Sequence, residues 1–222
     1  MTTAALLACA GCASAPAPAP PQAAPLQTPH QTTPTAGASR IVTIGDSIMA
    51  GYGLDPDQAW PALLAAEGDA TVTNLGCSGA GFVADGDCGV PFAGLIDAAV
   101  AAHPALVIIQ SSDNDDGEDE ATLADATMST VVALHDALPA ARIVGLSTLW
   151  NQDEDAPDEV ESSTRALESA IAAVGGAFVD IGQPLQGNSD YLQWDDEHPT
   201  AAGQEALLSA IGSAFAGAGI AL

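Results

Sequence analysis

The stretch Ile41-Val42-Thr43-Ile44-Gly45-Asp46-Ser47 decides how this chain is read. Four consecutive β-branched residues favour a strand, because their stiff side chains pack well on a pleated surface. Glycine then allows a tight turn, which leaves Ser47 exposed at the edge of a sheet. Far downstream stands Asp195-Asp196-Glu197-His198-Pro199, which offers an imidazole and a carboxylate to orient it. Serine, histidine and aspartate are the parts of an activated hydroxyl nucleophile, and they must meet in space rather than in sequence.

Working outward, the same kind of apolar run recurs. Ala70 to Leu75, Ala105 to Gln110, Ala141 to Leu146 and Ala177 to Ile181 read as further strands. Between them, Trp60 to Glu67, Phe92 to Ala102, Glu120 to Leu138, Pro157 to Val174 and Thr200 to Phe215 carry helical spacing. Alternation of this kind predicts an α/β fold of three layers, with a five-stranded parallel sheet covered on both faces. In such sheets a site forms at the carboxyl ends of the strands. Ser47, Gly76 and Asn114 all stand just past expected strand ends.

The chain has 222 residues and divides by composition. Residues 1–12 resemble an export signal of the lipoprotein type, with Cys9 after Leu6-Leu7-Ala8 and Cys12 after Ala10-Gly11 as candidate lipid attachment points. The usual positively charged start is missing, so either the true start lies upstream or the segment is not a working signal. Residues 13–39, rich in Ala, Pro and Thr, read as an extended tether, and 40–222 as one domain. No run is long enough to span a bilayer, so any membrane attachment would rest on an N-terminal lipid. The expected location is secreted or held at the cell surface. Cys77 and Cys88, eleven residues apart, make an even pair in the domain. In an oxidising compartment a disulfide is expected there, worth up to roughly 3 kcal/mol by loop closure. A metal site is rejected, since further cysteine and a nearby histidine are lacking.

The net charge is −26 with no lysine, and every acidic residue follows the leader. Such a surface repels phosphate backbones, which excludes nucleic acid as a partner. The run Asp113 to Glu120 fits no EF-hand spacing and reads as a solvated acidic loop. Of the four histidines, His30 lies in the tether, while His103 and His135 fall at helix ends or surfaces. His198 alone precedes a helix with an aspartate three residues before it, so Asp195 can hold one ring nitrogen and leave the other to accept a proton from Ser47. The absence of Gly-x-Ser-x-Gly argues against a nucleophile elbow. Trp150, Trp194 and Tyr191 are candidates to line an acyl or sugar pocket, with core packing the alternative.

On these residues the chain resembles the SGNH hydrolase (GDSL esterase/lipase) family from Arg40 to about Ala214. The blocks stand in order: Gly45-Asp46-Ser47 with Gly51-Tyr52-Gly53, Asn74-Leu75-Gly76, Asn114-Asp115, and Asp195-x-x-His198-Pro199. The resemblance implies a flavodoxin-like sheet and a serine esterase working through an acyl-enzyme. Its roles fall on Ser47 as nucleophile, His198 as base and Asp195 as orienter. Ser47, Gly76 and Asn114 are then the oxyanion donors. It implies no metal or organic cofactor, and a small-molecule or glycan ester as substrate. An acyltransferase or deacetylase acting on surface glycans, or a non-catalytic binding module, are the alternatives on the same fold. One departure stands out: Ser112 occupies the place, two before Asn114, where the family usually has glycine.

Overall fold

A computed structural model describes Met1 and residues 39–68, 70–152 and 156–222. Residues 2–38, which hold nearly all of the expected leader and tether with Cys9 and Cys12, lie outside the described residues. Five strands form one wholly parallel sheet: β1 Ser39–Gly45, β2 Ala70–Gly76, β3 Leu106–Gln110, β4 Arg142–Leu146 and β5 Ala177–Val179. Among the described residues six α-helices alternate with them: α1 Ser47–Ala50, α2 Trp60–Ala66, α3 Ile96–Ala101, α4 Glu120–Ala137, α5 Asp158–Ala173 and α6 Ala201–Gly217.

The side-chain period of two explains the three layers. Ile41, Ile108, Val144 and Leu146 point to one face, where they meet Trp60 and Leu64 of α2 and Leu207, Ile211 and Phe215 of α6. Val42, Ile44, Val107, Ile109 and Ile143 point to the other, against Leu123, Val131 and Leu134 of α4 and Leu167 and Ile171 of α5. Every residue of β3 is buried, as a central strand covered on both faces requires.

The strand order is β2-β1-β3-β4-β5. The chain therefore moves outward from β1 to β2, then returns to the other side of β1 for β3. That reversal opens a crevice at the carboxyl ends of β1 and β3. The register aligns those ends, pairing Gly45 with Gly76 and Ile44 with Ile109. Residues just past each strand thus share one rim of the sheet.

Two elements differ from expectation. The Phe92 to Ala102 helix is split into a 3-10 turn, Phe92–Leu95, and α3. Strand β5 stops at Val179 because the Ile181 N–H donates to Ser147 Oγ at 3.0 Å instead of to a neighbouring strand. The expected disulfide joins Cys77 to Cys88, with Cα atoms 6.0 Å apart, and closes the loop that follows β2.

Candidate active site

Ser47 is the first residue of α1, held in a turn that its neighbours define. Asp46 caps this short helix, its Oδ1 accepting the Ile48 N–H at 2.9 Å, and Gly51 ends it in the left-handed region at φ 78°. Gly76 lets β2 run close beneath this turn, since a Cβ there would stand 2.5 Å from the Ala50 backbone nitrogen.

His198 arrives on a small hairpin between the 3-10 turn Ser189–Tyr191 and α6. Leu192 and Pro199 form an antiparallel bridge, and the Gln193 N–H donates to the His198 carbonyl at 2.7 Å. Asp196 turns the hairpin with φ 57°, a left-handed conformation that aspartate tolerates better than most residues. The turn sends Asp195 back toward the imidazole. Its Oδ1 accepts the backbone N–H groups of His198 and Glu197 at 3.0 and 3.2 Å, and its Oδ2 lies 2.9 Å from His198 Nδ1. Of the three consecutive acids, Asp195 is the one that meets the ring.

The protons follow by elimination. An ionised carboxylate only accepts, so Nδ1 carries the hydrogen and donates to Asp195. Neutral Nε2 is then an acceptor, and it lies 3.0 Å from Ser47 Oγ, which donates to it. Partial burial pushes the Asp195 carboxyl up, but the hydrogen bonds from His198 and Glu197 outweigh it and hold it below the usual carboxylate value. The Tyr52 ring packs on the imidazole, centroids 4.4 Å apart. Gln193 Nε2 donates to both the Tyr52 and Pro199 carbonyls, tying the loop after α1 to the hairpin.

The third wall comes from the loop after β3. Asn114 Nδ2 donates to Ser112 Oγ at 2.8 Å and to the Ala80 carbonyl at 3.2 Å. Ser112 Oγ in turn donates to Asp46 Oδ2 at 2.7 Å, so this loop is bonded directly to the turn that carries Ser47. Asp115 is buried, not solvated as expected of an acidic loop. It accepts the N–H groups of Phe82, Val83 and Ala84 at 2.7 to 3.0 Å, which pins the post-β2 loop against the post-β3 loop.

Two expectations need correction. The Gly76 N–H, expected to face an oxyanion, donates to Asn74 Oδ1 at 2.9 Å and is already satisfied. Three residues on, Gly79 has φ 76°, and its N–H has no acceptor among the described residues. Tyr191 packs against the core under α6 rather than lining the site. Trp150 is half-buried beside Ser112, Asp113 and Val160, with its backbone N–H on Gln183. Trp194 stands 91 % exposed next to Asp195. His103 lies at the opposite end of the sheet, its carbonyl accepting from Arg40 Nε near the start of β1.

Sequence reasoning missed Tyr52 as a contact of His198, Gly79 as a donor with no acceptor among the described residues, and the Asp46–Ser112 bond. Gly51-Tyr52-Gly53 was a visible signal for the first; the last joins residues 66 apart and has no local signature.

Known proteins share this arrangement of chain. Residues 43–206 match the GDSL-like lipase/acylhydrolase family. The GDSL lipase Rv0518 of Mycobacterium tuberculosis is 29 % identical over 184 residues, which cover 77 % of this chain and 79 % of that one. The crystal structure of TesA superposes with a TM-score of 0.64 at 27 % identity, covering 80 % of this chain and 98 % of its own. A carbohydrate esterase family 2 enzyme of Corynascus thermopiles (Myceliophthora fergusii), solved with its carbohydrate-binding domain, gives a TM-score of 0.61 at 25 % identity, covering 82 % of this chain and 69 % of its own. With the family matched over most of the domain and the fold shared along it, the chain belongs to the GDSL-like lipases and acylhydrolases and is a serine hydrolase of the SGNH type.

Proposed function

We propose that this hydrolase cleaves carboxylic esters through an acyl-enzyme on Ser47. The observation that carries the reading is the unbroken chain Ser47 Oγ to His198 Nε2 at 3.0 Å and His198 Nδ1 to Asp195 Oδ2 at 2.9 Å. His198 Nε2 takes the Ser47 proton as Oγ attacks the ester carbonyl carbon. The carbonyl oxygen gains the negative charge, and the Asp195 carboxylate stabilises the imidazolium. Imidazolium then protonates the departing alkoxide. Water, deprotonated by the same ring, releases the acid and restores Ser47. The N–H of Ser47, at the start of α1, and the Asn114 amide are the proposed oxyanion donors. The N–H of Gly79 takes the place expected of Gly76, supported by its lack of an acceptor among the described residues and by the bond from Asn114 to neighbouring Ala80.

A Ser47→Ala variant should lose turnover of p-nitrophenyl acetate by at least about 10⁴-fold while keeping its thermal melt. Retained turnover by that variant would remove Ser47 from the reaction.

Glycan esters are the favoured substrate class within this reading. Exposed Trp194 beside Asp195 presents a flat apolar face of the kind sugar rings stack on, and the carbohydrate esterase relative acts in that chemistry by name. Faster turnover of acetylated oligosaccharides than of p-nitrophenyl acetate would support it, and the reverse order would favour simple esters. Export fits the same reading, because the Cys77–Cys88 bridge suits an oxidising compartment.

A further inference from the structure

We propose that Ser112 is a positioning residue, whose hydroxyl ties the Asp46 carboxylate to the Asn114 side chain and so fixes which way that amide faces. The inference rests on Asn114 acting as an oxyanion donor in the reading above.

Proton counting carries the argument. Ser112 Oγ has three partners: Asp46 Oδ2 at 2.7 Å, Asn114 Nδ2 at 2.8 Å and the Asn114 backbone N at 3.1 Å. Both nitrogens can only donate, and they occupy the two lone pairs of the hydroxyl. Its single proton must therefore go to Asp46. The other Asp46 oxygen takes the Ile48 N–H, one residue beyond Ser47. One carboxylate thus anchors the nucleophile's turn directly and the Asn114 amide through a single hydroxyl.

The link has little freedom to rearrange. Ser112 is 1 % exposed, so water does not compete for these bonds. Its carbonyl accepts from Ser163 Oγ of α5 at 2.9 Å, and Ser163 in turn accepts from Ser111 Oγ at 2.7 Å. Flipping the Asn114 amide would set its oxygen against the Ala80 carbonyl, acceptor on acceptor. It would also draw the Ser112 proton away from Asp46, leaving a buried carboxylate oxygen without a donor, which is costly. The amide nitrogen is thereby held toward the post-β2 loop, where Gly79 lies. Of its two N–H groups, the one on Ala80 at 3.2 Å is the weaker bond and the one a developing oxyanion can share.

The test is a double-mutant cycle in kcat on p-nitrophenyl acetate, with Ser112→Ala, Asn114→Ala and both together. Loss of one oxyanion donor costs about 10²–10³ in kcat, so Asn114→Ala should fall in that range. Ser112→Ala should lower kcat roughly 10- to 100-fold with KM nearly unchanged, and should have no further effect in the Asn114→Ala background. A merely structural role would lower the melting temperature and act equally in both backgrounds. That additivity, or a wild-type kcat in Ser112→Ala, overturns the proposal while leaving Asn114 as donor. A wild-type kcat in Asn114→Ala overturns the donor assignment as well. Ser112→Cys keeps the volume and offers only a weak acceptor. It carries the same cycle should the alanine variant fold poorly, with the same outcomes deciding.

Discussion

Asp113 shows how much a single residue can answer to its surroundings. It sits in the loop after β3, where burial pushes its carboxyl up to about 7, helped by the negative charges of Asp46 and Glu197 and opposed by His198. The ordinary value is 3.8, so between there and about 7 the folded protein holds a proton that the unfolded chain has lost. Stability from this group is therefore lost as pH rises through that window. Asp46, also raised, chiefly by burial, acts with the same sign. Asp195, held low, acts oppositely and only below its ordinary value, where acid removes its contribution. An Asp113→Asn variant should show a smaller drop in melting temperature from pH 5 to pH 8 than the parent protein. An unchanged drop would mean that Asp113 is not the group responsible. None of this was legible in the acidic run itself, where Asp113 and Asp115 looked like solvated neighbours of Asp116. Burial is set by what lies over each: the post-β2 loop, from the far side of β1, covers Asp115, while Asp113 sits beside Trp150 and Val160.

Among the elements, the strands were legible because a buried parallel strand is an uninterrupted apolar run, and β3 and β4 are nearly that. The helices were legible by period. What joins them is less so. Gln204, in the first turn of α6, is fully buried, its Oε1 accepting the Trp60 N–H at 2.9 Å and its Nε2 donating to the Ile48 carbonyl at 2.8 Å. It satisfies the open amino end of α2 and fastens α6 to the turn that carries Ser47. Replacing it with leucine keeps the apolar packing but strands a buried N–H, a loss of about 1–3 kcal/mol. Urea denaturation of Gln204→Leu should show a lower midpoint with an unchanged slope. A midpoint equal to that of the parent would show that the link is not needed.

For the whole molecule, charge is the governing quantity. A net −26 is carried with only three arginines to offset it. Arg165 pairs with Glu161 and Glu120, both exposed contacts worth little. Self-repulsion of this size opposes the compact state, and salt screens it, with the Debye length falling from about 30 Å at 0.01 M to about 8 Å at 0.15 M. Melting temperature should therefore rise with sodium chloride across this range. A flat or falling dependence would contradict repulsion as a destabilising force.

The sequence by itself determined the class of fold and supplied the residue types of the proposed triad. Apolar period and β-branching are local properties, and serine, histidine and aspartate carry their chemistry wherever they stand. Only the tertiary structure decided which groups touch. Gly76 and Gly79 are alike in sequence, yet one N–H is satisfied by Asn74 and the other meets no acceptor among the described residues. Ser112 looked like a departure from a pattern until the register of β1 on β3 set it against Asp46. Hydrogen bonds between distant segments depend on strand pairing and on the exclusion of water, and neither is written in any one stretch of chain.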